Sequence, residues 1–129
     1  MNNSVNKFAD WLERFGKAWS DLDADTASRL FSNDVEYYES SLRDPCKSWD
    51  EVRDLWSVVP NNQKDVSFKY QIIASLGNLC VANWQVTRTL LPQLSRQSID
   101  GIFVIKLNEK GLCNYFKQWR TSEESLIFS

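Results

Sequence analysis

The sequence predicts an α+β domain in which N-terminal helices pack on an antiparallel sheet. Its N-terminal part carries apolar residues at the 3.6-residue helical period. From Val66 onward the period switches to two, as half-buried strands require. The later apolar runs are joined by tight-turn sequences, Gly77-Asn78 and Asn108-Glu109-Lys110-Gly111, which connect neighbouring antiparallel strands. Helices segregated from an antiparallel sheet define the class.

The first helix is marked by Phe8, Trp11, Leu12, Phe15, Ala18, Trp19 and Leu22, which fall on a single face. Asp23 or Asp25 caps a short second helix that runs through Arg29–Phe31, and Asn33-Asp34 then makes a turn. An aromatic-rich first strand follows over Val35–Ser40 and carries Glu39. Ser48-Trp49-Asp50-Glu51 is a capping box that starts a third helix. Its apolar positions are Val52, Leu55, Trp56 and Val59, and Pro60 with Asn61-Asn62 ends it. Val66, Phe68, Tyr70 and Ile72 alternate with polar residues in the next strand, and Leu79–Leu90 is its hairpin return. A loop around Pro92 leads to a strand over Gln97–Leu107, and the last strand spans Leu112–Arg120.

With 129 residues the chain is expected to form one domain, 1–129, with 121–129 as a tail that is flexible or closes over a pocket. Fifteen basic against seventeen acidic residues give −2, and the basic ones are scattered, so nucleic acid is not an expected partner. No apolar stretch approaches the roughly 20 residues that span a bilayer, and the N-terminus does not read as a signal peptide. Neither a membrane nor a secretory route is expected. Cys46, Cys80 and Cys113 are odd in number and widely spaced, which suits reduced thiols in the cytoplasm.

Histidine is absent. This removes histidine-based nucleophilic catalysis and the commonest ligand of zinc and copper, so no metal or cofactor is expected. Proton transfer then falls to carboxylates, tyrosines or lysines. Glu39 shares strand parity with Val35 and Tyr37, which turns it towards the interior. There its apolar surroundings suit acid–base work near neutrality. The plainer alternative is a strand-edge glutamate that reaches solvent or pairs with Arg43. Asp100 shares a face with Ile102 and Val104, and is either a donor in the pocket or the structural partner of Arg88 or Arg120. Arg88 either orients a ligand carboxylate or snorkels out of the sheet.

The aromatic residues are core first, yet six tryptophans are awkward to fit into a closed core, because each indole N–H needs an acceptor. A concave site accommodates them more easily. Phe15, Trp19, Tyr37, Trp56, Trp84, Ile102 and Phe116 are the expected lining. The strand over Gln97–Leu107 is apolar on both faces, Ile102 and Val104 against Phe103, Ile105 and Leu107. Helices cover only one face, so a homodimer through the outer face of the sheet is expected.

These residues resemble the NTF2-like superfamily, in its SnoaL-like and ketosteroid-isomerase-like branch. The resemblance is carried by Phe15-Gly-Lys-Ala-Trp19, Ser20-Asp-Leu-Asp-Ala-Asp25 and Leu30-Phe31-Ser-Asn-Asp34-Val35. It continues through the Ser48–Trp56 helix, Trp84, Asp100-Gly101-Ile-Phe-Val-Ile, Gly111 and Trp119, covering about Phe8 to Arg120. It implies a cone, with three N-terminal helices on a strongly curved sheet around an apolar pocket. In the isomerase relatives a strand-one carboxylate abstracts a proton, while a tyrosine and a protonated aspartic acid hold the enolate oxygen. Counted without gaps, Glu39 falls at the base and Asp100 at the acid. Phe15 stands where the tyrosine would be, and loss of one such donor costs on the order of 10²–10³ in rate.

Two expectations follow. One is a cofactor-free isomerase, cyclase, dehydratase or epoxide hydrolase acting on a small hydrophobic molecule through Glu39 and Asp100. The other is a non-catalytic ligand-binding or dimeric interaction module on the same fold.

Overall fold

The computed structural model describes residues 3–126, with side chains described from 5 to 125. Helix α1 spans Asn3–Ser20 and α2 spans Ala24–Ser28. Strand β1 spans Phe31–Tyr38, α3 Trp49–Ser57, and a single turn, α4, Val59–Asn62. Four strands follow: β2 (Gln63–Leu76), β3 (Leu79–Leu90), β4 (Ser95–Leu107) and β5 (Cys113–Leu126). The sheet order is β1-β5-β4-β3-β2. Its pairs are antiparallel except β1 with β5, which run parallel. A parallel pair needs a long crossover, and α3, α4 and the β2–β4 meander supply it.

Local signals explain the helix ends. Asp23 accepts from the Thr26 N–H at 3.1 Å to cap α2, and Ser48 accepts from the Glu51 N–H at 3.3 Å to cap α3. Glu51 reaches back to the Lys47 N–H at 3.2 Å, displaced by one residue from an ideal capping box. The apolar face of α1 lies on the concave side of the sheet, with Phe8, Trp11, Leu12, Phe15 and Trp19 all buried.

Several boundaries differ from the sequence expectation. The second helix ends at Ser28 and Phe31 already opens β1, and Pro60-Asn61-Asn62 form the turn α4 while α3 ends at Ser57. Asn33-Asp34 is not a turn but part of β1, where the register against β5 shifts between Phe31 and Glu36. Ser32 donates to Asp34 there at 2.7 Å, so turn-forming residues serve a bulge instead. β1 ends at Tyr38, which puts Glu39 just past the strand end. Residues 121–126 are not a tail: they extend β5, pairing Ser95 with Leu126 through to Asp100 with Thr121. The apolar Ile127-Phe128 pair lies outside the described residues.

The inner face of β4 is Ile99, Gly101, Phe103, Ile105 and Leu107. Gly101 is there because Trp84 lies across it: a Cβ would stand 2.6 Å from the indole and 2.6 Å from the Trp119 carbonyl oxygen. Trp84 then stacks on Phe103 with centroids 4.8 Å apart. Indole N–H groups of Trp11, Trp19 and Trp49 find acceptors in the Leu30 carbonyl, the Gln63 side chain and the Ser28 carbonyl. Those of Trp56 and Trp84 are buried without one.

Candidate functional site

The aromatic core stops short of one end of the sheet, where β1 gives out and inner-face residues turn polar. On β3 the buried series Trp84, Val86 is followed by Arg88, and on β5 Phe116 is followed by Gln118 and Arg120. The same parity that buries the hydrophobic residues therefore delivers two guanidinium groups and an amide to the open end. They meet Tyr37 and Glu39 from β1 and its extension around a cavity of about 280 Å³. Phe15, Trp19 and Trp56 line its aromatic side. A wider cleft of about 600 Å³ adjoins it, sharing Tyr37, Glu39, Gln118 and Arg120 and adding Arg43, Asp44 and Cys46. A larger groove, about 790 Å³, runs outside between α1 and β2 along Glu13, Lys17 and Lys69. It lies away from these polar groups.

Tyr37 is 2% exposed and its ring stacks on Phe116 at 4.6 Å, so the phenol is held in one position. Its hydroxyl donates to Glu39 Oε2 at 2.8 Å. Gln118 Nε2 donates to the Glu39 carbonyl at 2.8 Å, which ties the residue just past β1 back to β5. Burial first, and then the Glu39 carboxylate, push the Tyr37 phenol well above its ordinary range. It is therefore a neutral donor at physiological pH. The Trp56 indole N–H faces the phenol oxygen and opposes the rise, although it is too poorly placed to count as a formed hydrogen bond.

Arg88 is half-buried, and its Nε donates to Gln97 at 2.8 Å. Burial, and then the nearby charge of Arg120, pull its guanidinium down to about 10, while Glu39 and Glu124 work the other way. It stays charged at neutral pH. Neither Arg88 nor Arg120 forms an ion pair among the described residues. The expected Glu39–Arg43 pair is also absent among them.

The sequence-predicted residues divide into three groups. Glu39, Phe15, Trp19, Tyr37 and Trp56 line the cavity. Trp84 and Phe116 stand behind it as core, since the stacking that buries them also removes them from the surface. Asp100 and Ile102 are corrected, because they occupy the outer face of the sheet. Asp100 is exposed and accepts from Asn83 at 3.1 Å and Gln85 at 3.2 Å. Its expected partners Arg88 and Arg120 lie across the sheet on the inner face. Glu39 and Asp100 thus do not share a cavity. Gln63 and Gln118 were not anticipated. Parity with Val66 is broken before Gln63, but Gln118 falls two residues from Phe116 and was findable by alternation.

Among the described residues no group of three or more Cys, Asp or Glu is placed to hold a metal ion. No helix is long and apolar enough to cross a membrane.

The SnoaL-like domain family matches residues 12–115. The chain belongs to that family. It shares the NTF2-like cone with solved structures of low sequence identity. One is SalBIII, described as an epoxide hydrolase/cyclase-like enzyme in pyran ring formation in the polyether salinomycin. It is 14% identical with a TM-score of 0.79, over 94% of this chain and 95% of that one. A putative isomerase from Bacillus subtilis is 14% identical with a TM-score of 0.81, over 94% and 90%. A computationally designed 17-OHP binder is 13% identical with a TM-score of 0.74, over 91% and 97%. No protein of curated function matches in sequence. At these identities the likeness is one of fold, and the site must speak for the chemistry.

Proposed function

We propose that this SnoaL-like protein binds a small, largely apolar molecule in the 280 Å³ cavity and moves a proton on it through Glu39. The observation that carries the reading is the Tyr37–Glu39 pair, 2.8 Å apart, at the boundary between the aromatic wall and the polar rim. The tyrosine holds one carboxylate oxygen, and Oε1 has no hydrogen-bond partner among the described residues. A fixed carboxylate with a free oxygen is what general acid–base catalysis asks of a side chain. Isomerisation, cyclisation, dehydration and epoxide opening all use such a group, and the structural neighbours named as putative isomerase and epoxide hydrolase/cyclase-like enzyme are consistent with it. The chemistry needs no bound cofactor.

A second reading is favoured by two observations. Phe15 offers no hydroxyl, and Asp100 is on the far face, so neither donor of the isomerase pattern stands beside Glu39. Without them the same cavity serves as a binder. Solvent deuterium exchange at the carbon acid 2-tetralone, followed by NMR, separates the readings. The wild-type protein should accelerate exchange, and Glu39→Gln should lose roughly 10²-fold or more of that acceleration. Binding of 2-tetralone without acceleration would leave the non-catalytic module standing. No binding would remove the pocket reading.

The protein is further proposed to act as a homodimer through the outer face of the sheet. Ile102 and Val104 remain half-exposed there, and Trp119 is 43% exposed opposite Ile102. Lys117 stands over Trp119 at 5.1 Å, and Asp100 with Asn83 and Gln85 form a polar fringe. An apolar centre with a polar surround suits an isologous contact. Sedimentation should show a dimer for the wild type and a monomer for Ile102→Glu, whereas a monomeric wild type would overturn the assembly. Three free cysteines fit a reducing, cytoplasmic setting.

A further inference from the structure

The cavity's charge is unbalanced. Its titratable lining is Tyr37, Glu39, Arg88 and Arg120, that is, one neutral phenol, one carboxylate and two guanidinium groups. Two like charges facing one hollow repel each other, and Arg88 responds to Arg120 in this way. Folding gains nothing from placing them so. Glu39 does not resolve the imbalance. Its Oε2 is taken by Tyr37, and among the described residues it forms no ion pair with either arginine. Glu124 offsets part of the Arg88 charge, but it is outside the cavity lining, is hydrogen-bonded by the Ser95 hydroxyl at 2.7 Å and takes none of the Arg88 N–H groups. The adjoining cleft adds one further charge of each sign, Arg43 and Asp44, and so leaves the balance at this rim unchanged.

The remaining donors point the same way. Gln97 holds Arg88 by Nε alone, which leaves both terminal nitrogens without a protein acceptor among the described residues. Arg120 makes no hydrogen bond among them and stands at the exposed rim. A guanidinium fork with free terminal N–H groups matches a planar carboxylate in two parallel hydrogen bonds. Behind this rim lie Phe15, Trp19 and Trp56, which offer an aromatic wall to a ring-sized body. A volume of about 280 Å³ is near the lower end of small-molecule sites, so the body is compact.

We propose that the ligand of this cavity is an apolar monocarboxylate, its ring system against Phe15, Trp19 and Trp56 and its carboxylate held between Arg88 and Arg120. The inference rests on the pocket reading above and narrows it, because a molecule without an acceptor at this rim would leave the terminal N–H groups of both guanidinium groups without a partner. It also gives Arg88 a reason to stay at a position where burial disfavours its charge, since binding sites retain groups that folding alone would discard.

Calorimetric titration of the full chain at pH 7 with 2-naphthoate and with its neutral isostere 2-naphthamide tests this. The carboxylate should bind at least about tenfold more tightly than the amide, the worth of one charge-assisted hydrogen-bonded contact. In Arg120→Gln, whose exposed position makes the fold tolerant, the preference should fall to near unity. Arg88→Lys should retain only part of it, because an ammonium cannot form the fork. Raising ionic strength should shrink the preference in the wild type. Equal affinities for the two probes, or a preference that survives Arg120→Gln, would overturn the monocarboxylate while leaving the pocket intact. Failure of both probes to bind would remove the pocket reading together with this one.

Discussion

Phe15→Ala is expected to lower the unfolding free energy by about 3–5 kcal/mol, the range for truncating a buried aromatic side chain. Phe15 is 1% exposed and sits where the helix face meets the sheet. Its ring stacks on Trp11 at 5.1 Å and meets Trp56 edge-on at 5.4 Å and Phe103 at 5.8 Å. Truncation therefore opens a hole between rigid rings that cannot collapse into it, and the cost comes from lost transfer energy and an unfilled cavity together. Against the 5–15 kcal/mol typical of a domain, that loss brings the variant close to unfolding at physiological temperature. Urea denaturation should show the midpoint falling with the slope unchanged. Phe15→Leu, which restores most of the volume, should cost less than half as much. A loss below about 1 kcal/mol for the alanine variant would mean that the rings are not packed as described. The position has a second meaning, because Phe15 also lines the cavity. Phe15 has no hydroxyl to donate and serves packing first, which is why the chemistry proposed above rests on Tyr37 and Glu39.

How much of this was legible in the chain depends on what each pattern encodes. Helix α1 was plain, because six apolar residues from Phe8 to Trp19 keep one period, although Leu22, counted on the same face, lies past the helix end. The succession of strands along the chain was plain from alternation and turn signals, whereas the sheet order that sets β1 parallel to β5 was not read. Alternation, however, separates two faces without saying which one is inside. β4 is apolar on both, and assigning Asp100 inward by its company with Ile102 and Val104 chose the wrong one. Gly101 held the answer, since a glycine between apolar residues marks a close approach, here of the Trp84 indole. Glu39 lines the cavity, on the parity that Val35 and Tyr37 set. Its partner was missed because Tyr37 looked like wall rather than donor. Arg88 and Arg120 carried the right parity too, continuing the series from Trp84 and from Phe116. Charged residues at the end of a buried series are usually solvated, so only the three-dimensional convergence of the two strands shows that they share one hollow. The β1 bulge was illegible for a different reason: Asn33-Asp34 is equally good turn chemistry, and the parallel partner that keeps it in the sheet lies at the far end of the chain.

Between pH 9 and pH 10 the protein is expected to lose stability steeply, because two buried thiols resist ionisation. Cys80 and Cys113 are both 0% exposed. Burial pushes the Cys80 thiol from 9.0 up to about 11, and pushes the Cys113 thiol higher still. The unfolded chain releases both protons near pH 9, whereas the folded chain keeps them. The unfolded state then binds fewer protons, so the free energy of unfolding falls as pH rises. The stability these thiols contribute is complete below about pH 9 and is lost as pH climbs towards the folded values. Each thiol contributes at most about 1.4 kcal/mol per pH unit, and the pair together at most about 3 kcal/mol per unit. Tyr37, raised mainly by burial, adds to the decline once the unfolded phenol ionises above pH 10. Arg88 acts in the opposite sense. Its folded value of about 10 lies below the ordinary 12.5, so above pH 10 the unfolded state binds the extra proton and the loss is partly offset. Between pH 9 and pH 10 the two thiols outweigh Arg88, whose offset only begins as pH nears its folded value. Urea midpoints measured at pH 8, 9 and 10 should drop sharply over the last interval for the wild type. In the Cys80→Ala, Cys113→Ala double variant the drop should be clearly smaller, the remainder coming from Cys46, whose thiol burial also raises, and from the raised phenols of Tyr37 and Tyr70, even if the variant starts from a lower stability. Equal slopes for the two proteins would show that the thiols are not the origin of the alkaline limb.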